Sequence, residues 1–213
     1  MRHLVVTLAL MVGITASAQE KDITKFLGIP IDGTKSEVAQ KLKEKGFTPS
    51  SYDEYTLEGE FNGRDVTVSP VTNNNKVYRI AVFDRNYMSE TDIKIRFNNL
   101  CDQFDVNYRY ISIAEHENKK FQIPESEDIS YEMTVHNKRY QASYFQKASI
   151  TKEEYAKIVE KSVDEVSDKD FEAGVFARSV FKQVWFMIDE QYGKYRILMF
   201  YDNAWNQATG EDL

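Results

Sequence analysis

The sequence predicts an α+β protein built on an antiparallel meander sheet of about seven or eight strands, with helices mainly on one face. Three observations carry that prediction. Val184–Tyr201 (VWFMIDEQYGKYRILMFY) reads as two apolar runs joined by a turn at Tyr192-Gly193. Pairing across that turn sets Val184, Phe186 and Ile188 opposite Tyr201, Met199 and Ile197, and Trp185 and Met187 opposite Phe200 and Leu198. Both faces are apolar, so the hairpin belongs near the centre of a sheet covered at least in part on two sides. Asn62-Gly63, flanked by alternating apolar residues, marks a second hairpin, because a type I′ turn needs positive φ at both central positions. Finally, Thr34/Glu37 and Thr151/Glu154 stand at capping-box spacing before amphipathic stretches.

The chain begins with Arg2 and His3, an apolar run Leu4–Ile14 and the small-residue pattern Ala16-Ser17-Ala18. This is the order of a cleaved export segment over residues 1–18, with Gln19 first in the mature chain. The run is too short for a spanning helix, which needs ~20 residues. A periplasmic, cell-surface or extracellular location is therefore expected. Gln19–Thr24 reads as a polar tether.

Lys35–Lys45 follows as a helix with Val38, Ala39 and Leu42 on its apolar stripe and Gly46 at its end. Tyr55–Phe61 and a strand through Val66 and Val68 flank Asn62-Gly63, and Pro70 is expected to end the second of them. Val77–Phe83 makes a third strand. Ser89 and Asp92 begin a helix on which Ile93, Phe97, Leu100, Cys101 and Phe104 recur at helical spacing. Tyr108–Ala114 reads as a strand and Glu115–Asp128 as a long exposed loop. Ile129–Val135 and Tyr140–Tyr144 alternate as a hairpin about Asn137-Lys138. Helices then begin at Thr151, with Tyr155, Ile158 and Val159 inward, and span Asp168–Val180, with Gly174 as a weak point. The order divides into a helix–meander unit at 19–86, a second at 87–205 with inserted helices, and a frayed tail at 206–213. The two units share one core in a doubled plan.

Composition narrows the function. A formal net charge of −7 argues against nucleic acid or anionic lipid as the main partner. Cys101 is the only cysteine, so no intrachain disulfide forms, and 13 Tyr, 13 Phe and 2 Trp must supply the core. Cys101 itself reads as a buried thiol on its helix stripe. His116 and His136 have no second histidine nearby, so no metal site is expected. No cofactor motif occurs: Gly-x-Ser-x-Gly and phosphate loops are missing, and with 9 Gly such cradles are scarce. Carboxylates are plentiful: Asp53, Glu54, Glu58, Glu60, Glu125, Glu127 and Asp128. Glu58 and Glu60 alternate with Leu57, Gly59 and Phe61, as on the solvent side of a strand. Tyr52, Tyr55, Tyr192, Tyr195 and Trp205 lie at turns or ends and form the candidate ligand-binding set.

Gly33-Thr34-Lys35-Ser36-Glu37-Val38, with Leu42 and Gly46 after it, resembles the first helix of the SmpA/OmlA and β-lactamase-inhibitor-protein-like group. The resemblance implies a small exported α+β module that binds other proteins and is not an enzyme. Those envelope lipoproteins carry a lipidated Cys where this chain has Gln19. The sequence thus points to a non-catalytic exported binding module of the bacterial cell envelope, with an envelope protein or a glycan as partner. The alternative is a glycan- or peptidoglycan-active hydrolase using paired carboxylates. A concave pocket holding such a pair would mark the enzyme; a shallow apolar surface would mark the binder.

Overall fold

The computed structural model describes residues 22–116 and 120–208. The expected export segment at 1–18 and the end of the tail at 209–213 lie outside the described residues. In chain order the elements are β1 (Lys25–Phe26), β2 (Ile29–Pro30), α1 (Lys35–Glu44), β3 (Thr48–Pro49), β4 (Leu57–Phe61), β5 (Arg64–Asn73), β6 (Lys76–Asp84) and α2 (Glu90–Asp105). They continue with β7 (Tyr110–Ser112), α3 (Ile113–His116), α4 (Ile129–Val135), β8 (Gln141–Gln146), α5 (Lys152–Ile158), α6 (Asp168–Ser179), β9 (Gln183–Gln191) and β10 (Lys194–Asp202).

β3 to β10 form one antiparallel eight-stranded sheet in the order β3-β4-β5-β6-β10-β9-β8-β7. β6 and β10, the last strands of the two halves, pair at its centre. The β9–β10 hairpin has the register that its hydrophobic pattern demands, with Ile188 opposite Ile197 and Trp185 opposite Phe200. Tyr192 and Gly193 take φ of 53° and 70°, as a type I′ turn requires. Asp189 and Arg196 meet across the strands at 2.9 Å. Asn62 and Gly63 (φ 53° and 67°) make the equivalent turn between β4 and β5.

One face of the sheet carries Leu57, Val68, Val82, Met199, Phe186 and Ala142 in a single row, and all are buried. α1 covers its first half through Val38, Ala39 and Leu42, and α2 covers its second through Phe97, Leu100 and Cys101. Phe97 meets Phe186 edge-on at 5.1 Å, and Phe104 stacks on Tyr144 at 4.7 Å. Each such buried aromatic contributes on the order of 1.5–3 kcal/mol by its removal from water. The Thr34/Glu37 capping box starts α1, and Gly46 at φ 97° follows it.

Several expectations are corrected. Ile129–Val135 is the helix α4, not a strand. Asp128 accepts the Tyr131 amide at 2.8 Å and so caps a helix, and both edges of β8 are already taken by β7 and β9. Pro70 does not end β5, which runs on to Asn73. β4 pairs only up to Val68, so Pro70 needs no amide donor on that side. The strand expected at Tyr108–Ala114 is only Tyr110–Ser112, and α3 follows it. Of the segment expected as an exposed loop, the part around Ile123 is tied down: Ile123 is buried, and the Asn98 side chain bonds both its amide and its carbonyl. Ile158 and Val159 are exposed, and Ala156 is the buried residue of α5. Gly174 is a close approach, not a weak point, because a Cβ there would lie 2.1 Å from Cε2 of Tyr155. Nor is Thr24 part of a tether. It is buried, and its hydroxyl donates to the Asp202 carbonyl at 2.5 Å.

Candidate functional site

The five expected aromatics do not come together. Tyr52 (93 % exposed) stands in the loop after β3, and Tyr192 (94 %) at the β9–β10 turn. Trp205 lies at the opposite end of β10 from that turn and stacks on Phe181 at 5.0 Å. Tyr55 is half-buried, with the Lys35 ammonium over its ring. Tyr195 is 2 % exposed, which corrects its place in the set. Strand alternation puts it beside Ile197 and Met199 on the helix-covered face.

The sheet's second face supplies a different surface. Two rows cross its centre: Phe83, Leu198 and Met187, then Ala81, Phe200 and Trp185. Apart from Ala81, which is buried, these side chains are half-buried. α1 and α2 lie on the other side, and α6 packs on this one over β8, through Phe176 against Phe145 at 6.0 Å. The expected partial cover on two sides is met at β8, and the central rows are partly buried. They pack against one another and against paired charges. Trp185 and Phe200 stack at 4.3 Å, and the Arg79 guanidinium lies over both rings. Arg79 forms a two-pronged pair with Asp202 at 2.6 and 2.8 Å, and Trp185 Nε1 donates to the same carboxylate at 3.0 Å. At the other end Arg196 pairs with Asp189 and covers Phe83 and Tyr87. The result is an apolar strip with clamped rotamers and neutralised ends.

A cleft of about 600 Å³ opens where the β1–β2 turn meets the ends of β7 and β8. Lys25, Arg109, Lys147 and Lys182 line it, together with Phe61, Tyr110 and Tyr201. No carboxylate is among its lining residues. Burial is the main cause lowering the Lys182 pKa, and Asp22 opposes it through an ion pair at 2.7 Å.

Four of the seven carboxylates noted in the sequence have structural partners. Asp53 accepts the Tyr55 amide and the Thr56 hydroxyl, Glu58 pairs with Arg85 at 3.0 Å, and Asp128 caps α4. Glu127 takes both Lys138 and Tyr140, which hold its carboxyl below the usual range. Among the described residues no group of three or more His, Cys, Asp and Glu could hold a metal ion. No described helix is long and apolar enough to cross a membrane. Cys101 is buried, and burial pushes its thiol up to about 12.

Comparison with family models, curated proteins and solved structures finds no match.

Proposed function

We propose that the chain is an exported, non-catalytic binding module of the bacterial cell envelope that docks a protein partner on the second face of its sheet. The carrying observation is the half-buried apolar double row of Phe83, Leu198, Met187, Phe200 and Trp185. Its composition is that of an interface centre, where Trp, Phe, Met and Arg are enriched and unpaired charge is depleted. The side chains are already locked by stacking and by the Arg79–Asp202 pair, so little conformational freedom remains to be lost on docking. A protein suits the strip better than a glycan does. Sugar stacking needs a free ring face, and here Trp185 and Phe200 face each other beneath Arg79. The export pattern at 1–18 and the resemblance of Gly33–Val38 to exported binding modules support the same reading.

The test places a photo-crosslinking residue at Met187, at Leu198 and, as control, at Lys169 on α6 in the producing cell. One protein adduct from the two strip positions and none from the control is expected. With the purified pair, Leu198→Arg weakens binding by about thirtyfold, the ~2 kcal/mol of an interface hot spot. The absence of strip-specific adducts refutes the reading. An adduct with a second copy of this chain replaces the partner by self-association, and glycan binding lost on Leu198→Arg replaces it by a sugar.

A further inference from the structure

The cleft at the β1–β2 turn is separate from the second sheet face and lies at one end of the opposite, helix-covered side. Its four cations come from four places in the chain: Lys25 on β1, Arg109 before β7, Lys147 after β8 and Lys182 before β9. Such convergence is notable in a chain of net charge −7. Lys25, Arg109 and Lys147 have no ion-pair partner among the described residues; Arg109 lies over the Tyr108 ring. Like charges gathered without counter-charges repel one another, so they raise the local positive potential and attract anions.

The walls are built rather than incidental. Lys182 is 2 % exposed, and its ammonium bonds Asp22 at 2.7 Å and the Lys147 carbonyl at 3.3 Å. The second Asp22 oxygen accepts the Ser149 amide at 2.7 Å. Gln146 holds the β1 strand through both the amide and the carbonyl of Lys25. The Lys147 amide in turn donates to the Arg109 carbonyl at 2.7 Å. The backbones bearing all four cations are thereby tied together, and Asp22 offsets only one of the charges. A second hollow of about 150 Å³ adjoins the cleft, shares Phe61, Tyr110 and Tyr201 with it, and adds Phe104 and Met199. Together they offer a cationic mouth and an aromatic floor, at a size within the usual ~300–1,000 Å³ of small-molecule sites.

We propose that this cleft binds a small oxyanion ligand bearing at least two negative charges, on carboxylate or phosphate groups, whose body rests on the aromatic floor at Tyr110 and Phe61. Lys25, Arg109 and Lys147 make the charge-assisted hydrogen bonds, with arginine providing the planar fork that suits both oxyanions. Lys182 stays in the floor as a fixed charge.

Titration calorimetry on the whole chain at low ionic strength tests the site with citrate and inorganic pyrophosphate as separate arms and trimethyl citrate as the uncharged control. Saturable one-to-one binding of citrate or pyrophosphate is expected, with trimethyl citrate silent. The arm that binds more tightly identifies the group recognised. Arg109→Gln combined with Lys147→Gln weakens binding at least tenfold, whereas Lys169→Gln, outside the cleft, leaves it within twofold. Circular dichroism confirms that each variant is folded. Leu198→Arg on the sheet face leaves anion binding intact, so the two sites stand or fall separately. The proposal is overturned by no saturable binding of either anion, by binding indifferent to the double variant, or by equal loss in Lys169→Gln.

Discussion

The buried pair between Asp84, at the end of β6, and Arg96, on α2, permits a quantitative prediction. Both side chains are buried, and Nη2 lies 3.5 Å from Oδ1. Arg96 also reaches the Asn62 side chain at 3.0 Å and the Asn62 carbonyl at 3.4 Å, so it latches α2 to the β4–β5 turn. Asp84 Oδ2 and Arg96 Nε have no hydrogen-bond partner among the described residues. At 3.5 Å and an effective dielectric of ~20 the attraction is about 5 kcal/mol. Against it stand the desolvation of two ions and two orphaned polar atoms, at about 1–3 kcal/mol each. The pair is therefore close to neutral overall, yet neither half is dispensable alone. Arg96→Met strands a buried carboxylate and Asp84→Val strands a buried guanidinium, and each costs about 3–5 kcal/mol. The double variant returns to within about 1 kcal/mol of wild type, which makes the two substitutions strongly non-additive. Urea unfolding followed by tryptophan fluorescence measures all four corners, and unchanged slopes keep the comparison sound. Single costs below about 1 kcal/mol, or an additive double variant, would show that the pair is solvated and that the reasoning is wrong.

Other outcomes follow from local geometry. Gly174→Ala drives a Cβ into the Tyr155 ring and costs about 1–3 kcal/mol, although Gly→Ala within a helix is ordinarily stabilising; Tyr155→Leu relieves it, as thermal unfolding of the two variants and their combination will show. Cys101, with its thiol raised to about 12, reacts with iodoacetamide at about pH 8 roughly a thousandfold more slowly than an open thiol, and urea above the unfolding midpoint abolishes the protection. Glu127 has its carboxyl lowered first by Lys138 and then by Tyr140. Its stabilising contribution is present above the ordinary carboxyl pKa and disappears as pH falls through the lowered value. Urea midpoints of wild type and Glu127→Gln should therefore differ at about pH 7 and converge in strong acid.

Amino-acid order by itself determined the elements whose signals are local. The capping boxes at Thr34 and Thr151 and the positive-φ turns at Asn62-Gly63 and Tyr192-Gly193 depend on residues within a few positions of one another, and the second of these turns sets the pairing of Phe186 with Met199. Periodicity likewise placed Phe97, Leu100 and Cys101 on the buried stripe of α2. Where two periods fitted, tertiary structure decided. Ile129, Tyr131, Met133 and Val135 alternate as a strand would, but a capping Asp128 and a β8 with no free edge make them a helix. The candidate sites were partly legible. Trp185, Met187, Leu198 and Phe200 were visible as a second apolar face, but one expected to be covered at least in part, and how far it is covered was decided by where the helices pack. Tyr195 was misplaced, because nearness to a turn does not outweigh the alternation that turns it inward. The cationic cleft had no sequence signature at all. Lys25, Arg109, Lys147 and Lys182 follow no spacing, and only the folding of β1 against the ends of β7, β8 and β9 gathers them. Local chemistry selects helices, turns and strand pairs over short range, whereas surfaces arise from long-range closure that no short stretch encodes.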